Sequence, residues 1–350
     1  MINNNNNDSQ IESEKEYSIK SQIIKTLEWP SYTISILQDN EEDNEQINFL
    51  LGTNTNNTES NYLISAFYDK ESEKINIRRK LKHSGNVVKV FYLNSKKALT
   101  SSSDNNIYLY DLHQKHNEVS TKPNLILKSH NDYCTSINLN KGKNTLISTS
   151  LDGKLCLWNI NSSGSLGILK PLNEISYHEN SINDSDWDKN NEYLFCSCGD
   201  DKKMIFYDIR DSNKVISINT PNKLKKIKYN YMNSNLLLTA NDDFKIDLWD
   251  LRNTKVKLHN FEFHKGEITS IKWSDVNEKI FISSSVDCNL VMWNLKYLEE
   301  FNSPVNGEDF PVEVEWIKYL DNRILDFDFF NNIISLVDDE NHVKVLSLNI

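Results

Sequence analysis

One spacing recurs six times along the chain: an aspartate, then six residues later a bulky residue that closes a short apolar run. The pairs are Asp104/Tyr110, Asp152/Trp158, Asp201/Tyr207, Asp243/Trp249, Asp287/Trp293 and Asp339/Val345. Successive aspartates lie 48, 49, 42, 44 and 52 residues apart. A period of this length marks a repeat architecture, in which each unit buries its apolar face only against its neighbours. The units themselves alternate apolar and polar residues, as in the stretch from Ile137 through TLISTS to LCLWN, which is a strand period rather than a helical one. The turn Leu151–Lys154 between two such runs carries Asp and Gly, the composition of a tight hairpin.

A histidine precedes four of the aspartates: His83/Asp104, His130/Asp152, His178/Asp201 and His264/Asp287, separated by 21, 22, 23 and 23 residues. A serine stands shortly before each of these aspartates (Ser102, Ser150, Ser197, Ser285). The pattern resembles WD40 repeats, whose His, Ser/Thr, Asp and Trp form a hydrogen-bonded network inside each blade. On that resemblance His83, Asp104, His130, Asp152, Trp158, His178, Asp201, Asp243, Trp249, His264, Asp287 and Trp293 are structural residues. An imidazole that donates at one nitrogen and accepts at the other can link a carboxylate to a hydroxyl. A hydrolase triad is a poor alternative: the set repeats four times, and no G-x-S-x-G elbow is present. Three further strand-like runs, 31–37, 48–55 and 61–68, with 74–80 a candidate fourth, precede the six repeats. The expected fold is all-β, a seven-bladed propeller with a short N-terminal α-helix, and propellers leave only short protected edges. A segment near Leu27–Leu37 is expected to give the last blade its closing strand. The expected organisation is an Asn-rich disordered tail over 1–11, a helix over 12–26 and a propeller over 27–350, with an acidic insertion at 299–315.

The five cysteines have no zinc-type grouping and are expected to be buried thiols in a reducing compartment, with no metal and no cofactor. No signal peptide or membrane-spanning run is read, so an intracellular, soluble protein is expected. The net charge of −11 argues against direct binding to nucleic acid and favours a basic protein partner. The basic run Lys223–Lys228 reads either as a localisation signal or as a strand with alternating side chains.

The stretches LEWPSYT (27–33), NDSDWDKNNEYLFCSCGDDKKMIFYDIRD (183–211) and LWDLRNTKVKLHNFEFHKGEITSIKW (248–273) resemble the retinoblastoma-binding and chromatin-assembly-factor small-subunit family of histone-binding WD40 proteins. The resemblance implies a non-enzymatic histone chaperone or scaffold. Its implied partners are histones three and four and the subunits of assembly, deacetylase, acetyltransferase or methyltransferase complexes. It would be a monomeric propeller within those complexes, in the nucleus with the cytoplasm as a second location. It also implies a rim groove for the first helix of histone four. Here that groove would use Ile19, Ile23 and Ile24 on the N-terminal helix, Glu308, Asp309 and Glu313 in the insertion, and Trp316 and Ile317 beneath them. The family's channel site for the histone-three tail transfers poorly, because its acidic positions fall on Tyr133, Asn183 and Lys223 and its phenylalanine on Thr269. Two other readings stand beside this one. WDLR and YDIR, with Arg252 and Arg210, suggest a substrate adaptor of a cullin-type ubiquitin ligase, and the EWP start suggests a ribosome-assembly scaffold.

Overall fold

The alternating runs are strands, and they group into seven sheets. The computed structural model of the chain describes residues 17–38, 46–55, 59–112, 122–142, 144–160, 167–211, 215–300 and 313–349. Blade one is Ser31–Ile36, Gln46–Thr53, Asn61–Asp69 and Lys74–His83, paired in chain order. Blades two to six begin at the inner strands Val87–Asn94, Cys134–Leu139, Ile182–Trp187, Leu224–Tyr229 and Ile268–Trp273. Blade two gains a fifth strand, Gly167–Leu169, which lies parallel to Leu125–Leu127. Large rings fill the spaces between blades: Trp158, Trp187, Trp273 and Trp293 are all fully buried.

Ring closure differs from expectation. Blade seven is Ile324–Phe330, Ile333–Asp338 and His342–Asn349, and its fourth strand is Ser18–Thr26, antiparallel to His342–Asn349 with Ile19 opposite Leu348 and Ile23 opposite Val345. The helix expected over 12–26 is therefore a strand from Ser18 onward. The segment 31–36, expected to help close the last blade, is instead the inner strand of blade one. The reason is tertiary. SIKSQIIKT is rich in β-branched residues, and the edge of His342–Asn349 would otherwise stay unpaired. The Asn-rich tail and residues 12–16 lie outside the described residues, as do 301–312 of the acidic insertion.

Every inner strand starts with the same irregularity. The register shifts between Ser31 and Thr33, Val87 and Lys89, Cys134 and Ser136, Ile182 and Asp184, Leu224 and Lys226, Ile268 and Ser270, and Ile324 and Asp326. A bulge of this kind leaves one residue unpaired and re-aims its side chain. The seven bulged residues, Tyr32, Val88, Thr135, Asn183, Lys225, Thr269 and Leu325, all line one mouth of the central channel.

Candidate functional site

The repeat aspartates do structural work in the blades. Asp152, Asp201 and Asp287 each use one carboxylate oxygen to accept the backbone amide two residues on (Lys154, Lys203, Asn289). This closes a turn whose next residue, Gly153, Lys202 or Cys288, has φ of 76°, 60° or 68°. The other oxygen accepts the amide of Asn131, Glu179 or Lys265 in the loop leading to the next inner strand. His178 Nδ1 donates to Asp201 at 2.9 Å and His264 Nδ1 to Asp287 at 3.0 Å. In each case Nε2 accepts from a serine hydroxyl, Ser197 or Ser283, at 2.7 Å. Trp158 and Trp293 donate to Ser148 and Ser283 at 2.8 Å, and Trp249 to Thr239 at 2.9 Å. The four histidines thus meet Thr100, Ser148, Ser197 and Ser283. Three of the serines picked from the sequence, Ser102, Ser150 and Ser285, instead accept the amides of Asp104, Asp152 and Asp287 within the turn. Blade two departs further. His83 Nδ1 bonds the Gly85 carbonyl, while Asp104 accepts from Tyr108 and Ser84, so His83 and Asp104 are not linked. Asp243 accepts from Asn222, and Thr220 stands where a histidine would.

On the rim, the end of the acidic insertion runs into the outer strand of blade six, Val314–Tyr319. Glu315 is fully buried and ties three elements together. It accepts the backbone amide of Tyr17 at 3.2 Å, the Asn294 amide group at 2.9 Å and the Tyr297 hydroxyl at 3.0 Å. Tyr17 also accepts from Asn277. The chain entering the closing strand and the chain leaving the insertion therefore meet at one point. Trp316 packs on the blade-seven side, with Tyr17, Phe327 and Leu346, whereas Ile317 packs on the blade-five side. Glu313 accepts from His259 at 2.5 Å. Burial opposes its ionisation, yet the His259 bond outweighs that and keeps its pKa below the usual carboxylate range.

The structure thus places Glu313, Trp316 and Ile317 together. It does not form the expected isoleucine stripe: Ile19 and Ile23 pack into the blade-seven cores as strand residues, and Ile24 is exposed. Glu308 and Asp309 lie outside the described residues. The Tyr17–Glu315 junction escaped sequence reading, because nothing local marks a contact 298 positions apart. Arg210 and Arg252 are exposed, and each closes a fork on its own strand-end aspartate, Asp208 or Asp250, with contacts of 2.6 and 2.9 Å.

The channel mouth, a cavity of about 540 Å³, is lined by Tyr133, Asn183 and Thr269, together with Lys89, Lys225, Lys226 and Glu267. Lys223 is not in the lining; its ammonium is 3.8 Å from Asp200. Lys226 and Lys228, inside the basic run Lys223–Lys228, face the lumen rather than the outer surface. Among the described residues no His, Cys, Asp or Glu cluster could hold a metal ion, and no helix is long and apolar enough to cross a membrane. Four of the five cysteines are buried free thiols, Cys288 being half-buried, and burial pushes Cys156 up to about 12.

Comparison with known proteins agrees with this geometry. The family described as the histone-binding protein RBBP4, a component of the CAF1 complex, matches residues 21–67, from the closing strand into the third strand of blade one. The WD domain, G-beta repeat, matches 121–159, 169–208 and 255–294. The chain is 26% identical over 315 residues to histone acetyltransferase type B subunit 2 of Candida glabrata, covering 82% of this chain and 74% of that protein. It is also 26% identical to the Kluyveromyces lactis protein of the same name, over 70% of this chain and 67% of that one. The WD-40 repeat-containing protein MSI3 of Arabidopsis thaliana is 26% identical over 53% of this chain and 46% of its own length. The ring and these matches together make the chain a seven-bladed WD40 propeller similar to the retinoblastoma-binding and chromatin-assembly-factor small-subunit family of histone-binding proteins.

Proposed function

We propose that the chain is a non-enzymatic histone-binding scaffold of chromatin complexes in the nucleus, and that it holds a basic amphipathic helix of histone four on the rim between blades six and seven. The observation that carries this reading is the Tyr17–Glu315 junction, which brings the N-terminal chain and the end of the acidic insertion to one place on the rim. Glu308 and Asp309, a few residues before that junction, supply carboxylates for charge-assisted bonds to lysine and arginine. Trp316 and Ile317, both half-buried, supply apolar surface for the other side of such a helix. Because Ile19 and Ile23 are committed to the propeller core, any second wall of the groove has to come from residues before Tyr17. Two relatives are named as subunits of a type B histone acetyltransferase, so presenting histone to an acetyltransferase is the first partner role to test. No specific contact favours the ligase-adaptor reading, since the guanidinium forks of Arg210 and Arg252 are already occupied.

The test is retention of histone three–four by the immobilised full chain, wild type against Glu308→Lys/Asp309→Lys. Two reversed charges should weaken retention about tenfold or more, with the melting temperature unchanged. Equal retention removes the rim site, and no retention by the wild type removes the function.

A further inference from the structure

Below the bulged residues, the next lumen layer is Thr33, Lys89, Ser136, Asp184, Lys226, Ser270 and Asp326, one residue from each blade. The charges in this part of the channel are nearly all matched. Lys89 pairs with Asp326 at 2.9 Å, and Asp326 also accepts from the Thr33 and Ser270 hydroxyls. Asp184 is taken by Lys228 at 2.7 Å from the layer beneath, and Lys272 pairs with Asp328 at 3.0 Å. In the mouth, Lys225 pairs with Asp200 at 3.0 Å. Lys226 alone among these lysines has no carboxylate within ion-pair distance among the described residues. Only it and Lys89 line both the mouth and the deeper cavity, so they form the waist of the channel. Burial, and then the charge of Lys89, hold the Lys226 pKa below its ordinary value. Tyr32 and Tyr133, both substantially exposed, add phenol groups at the opening. Among the described residues Glu267 is the one carboxylate of the mouth lining, and it limits how much negative charge a guest can carry.

We propose that this mouth binds a single oxyanion, the carboxylate or phosphate of an acidic peptide side chain inserted along the propeller axis, with Lys226 as its counter-ion. A cavity of this size lies within the usual range for ligand sites, and a buried unpaired cation is the group that gains most from an incoming anion. The site does not depend on the rim reading, since it uses inner strands only.

The experiment is fluorescence anisotropy on the full chain with three labelled probes: Gly-Gly-Glu-Glu-Gly-Gly, the same peptide with phosphoserine in place of one Glu, and its lysine counterpart. The acidic probes should bind and the lysine probe should not. Lys226→Met should weaken the acidic probes about tenfold or more. Removing an uncompensated charge should leave the melting temperature unchanged or raised, so lost binding would not mean lost fold. Lys226→Gln, which keeps polarity without charge, should weaken binding likewise and serves if the methionine variant does not fold. Acidic probes that fail to bind, binding unaffected by Lys226, or preference for the lysine probe would overturn the proposal. Inorganic phosphate that competes as well as the phosphopeptide would assign the site to free phosphate and overturn the peptide part.

Discussion

An aspartate at the second hairpin turn of a blade carries two duties that no other side chain of its length can share. One oxygen closes the turn around a left-handed residue, and the other grips the amide of the loop entering the next inner strand. Through the histidine it then reaches the serine and tryptophan of the same blade. Such a network has a definite pH signature. Burial works against ionising Asp152, but bonds from His130, Asn131 and Lys154 win and hold its pKa at about 2. Its stabilising contribution is therefore full above about pH 4 and is lost as pH falls toward 2. His178 is shifted down, chiefly by burial and against the pull of Asp201. Its native form is neutral, so stability drops as pH falls below its ordinary value of about 6.5, where the unfolded chain takes up the proton first. Both shifts point the same way. Melting temperature should decline from pH 7.5 to pH 5, and His178→Gln should make that decline shallower while lowering the melt at pH 7.5. An identical slope would exclude His178 as a contributor. The aspartate–aromatic spacing was legible because it is local and repeated. The hydroxyl partners were misassigned because two serines, four and two residues before the aspartate, look alike in sequence. Strand geometry sends the first to the histidine and the second to the turn.

At the scale of elements, the ring is held shut by a strand that reads ambiguously on its own. Ile19, Ile23 and Ile24 fit a helical stripe, and the same residues fit a β-branched strand; only the vacant edge at His342–Asn349 decides between them. A single sequence does not display that edge, and this is why the existence of seven blades was legible while the source of the closing strand was not. The inner-strand bulges were hidden for a related reason, since a register shift exists only relative to a partner strand. Closure gives a prediction with sharp boundaries. Removing residues 1–16 should leave the melting temperature within a few degrees of the full chain. Removing 1–26 deletes the closing strand and the Tyr17–Glu315 bond, and should lower the melt by well over ten degrees or abolish a cooperative transition. Equal melts for the two truncations, measured by circular dichroism, would show that the propeller does not need this strand.

Across the whole molecule, the two recognition surfaces sit at opposite ends of a blade's strand order and carry opposite charge. The rim contributes Glu313 and the insertion acids beside the outer strand of blade six, and the axis contributes Lys226 from the inner strand of blade five. Inner and outer strands of a four-stranded sheet are three spacings apart, roughly 14 Å. Side chains at that separation with no shared partner behave additively to within about 0.5 kcal/mol. Opposite signs also mean that each surface repels the other's guest: a basic helix gains nothing at the lysine waist, and an acidic peptide gains nothing at the insertion. A double-mutant cycle should therefore show independence. Lys226→Met should leave histone three–four retention unchanged, Glu308→Lys/Asp309→Lys should leave acidic-probe affinity unchanged, and the combined variant should lose both by the sum of the separate effects. Measured coupling beyond about threefold would mean that the rim and the channel report on one shared rearrangement of the ring rather than on two separate sites.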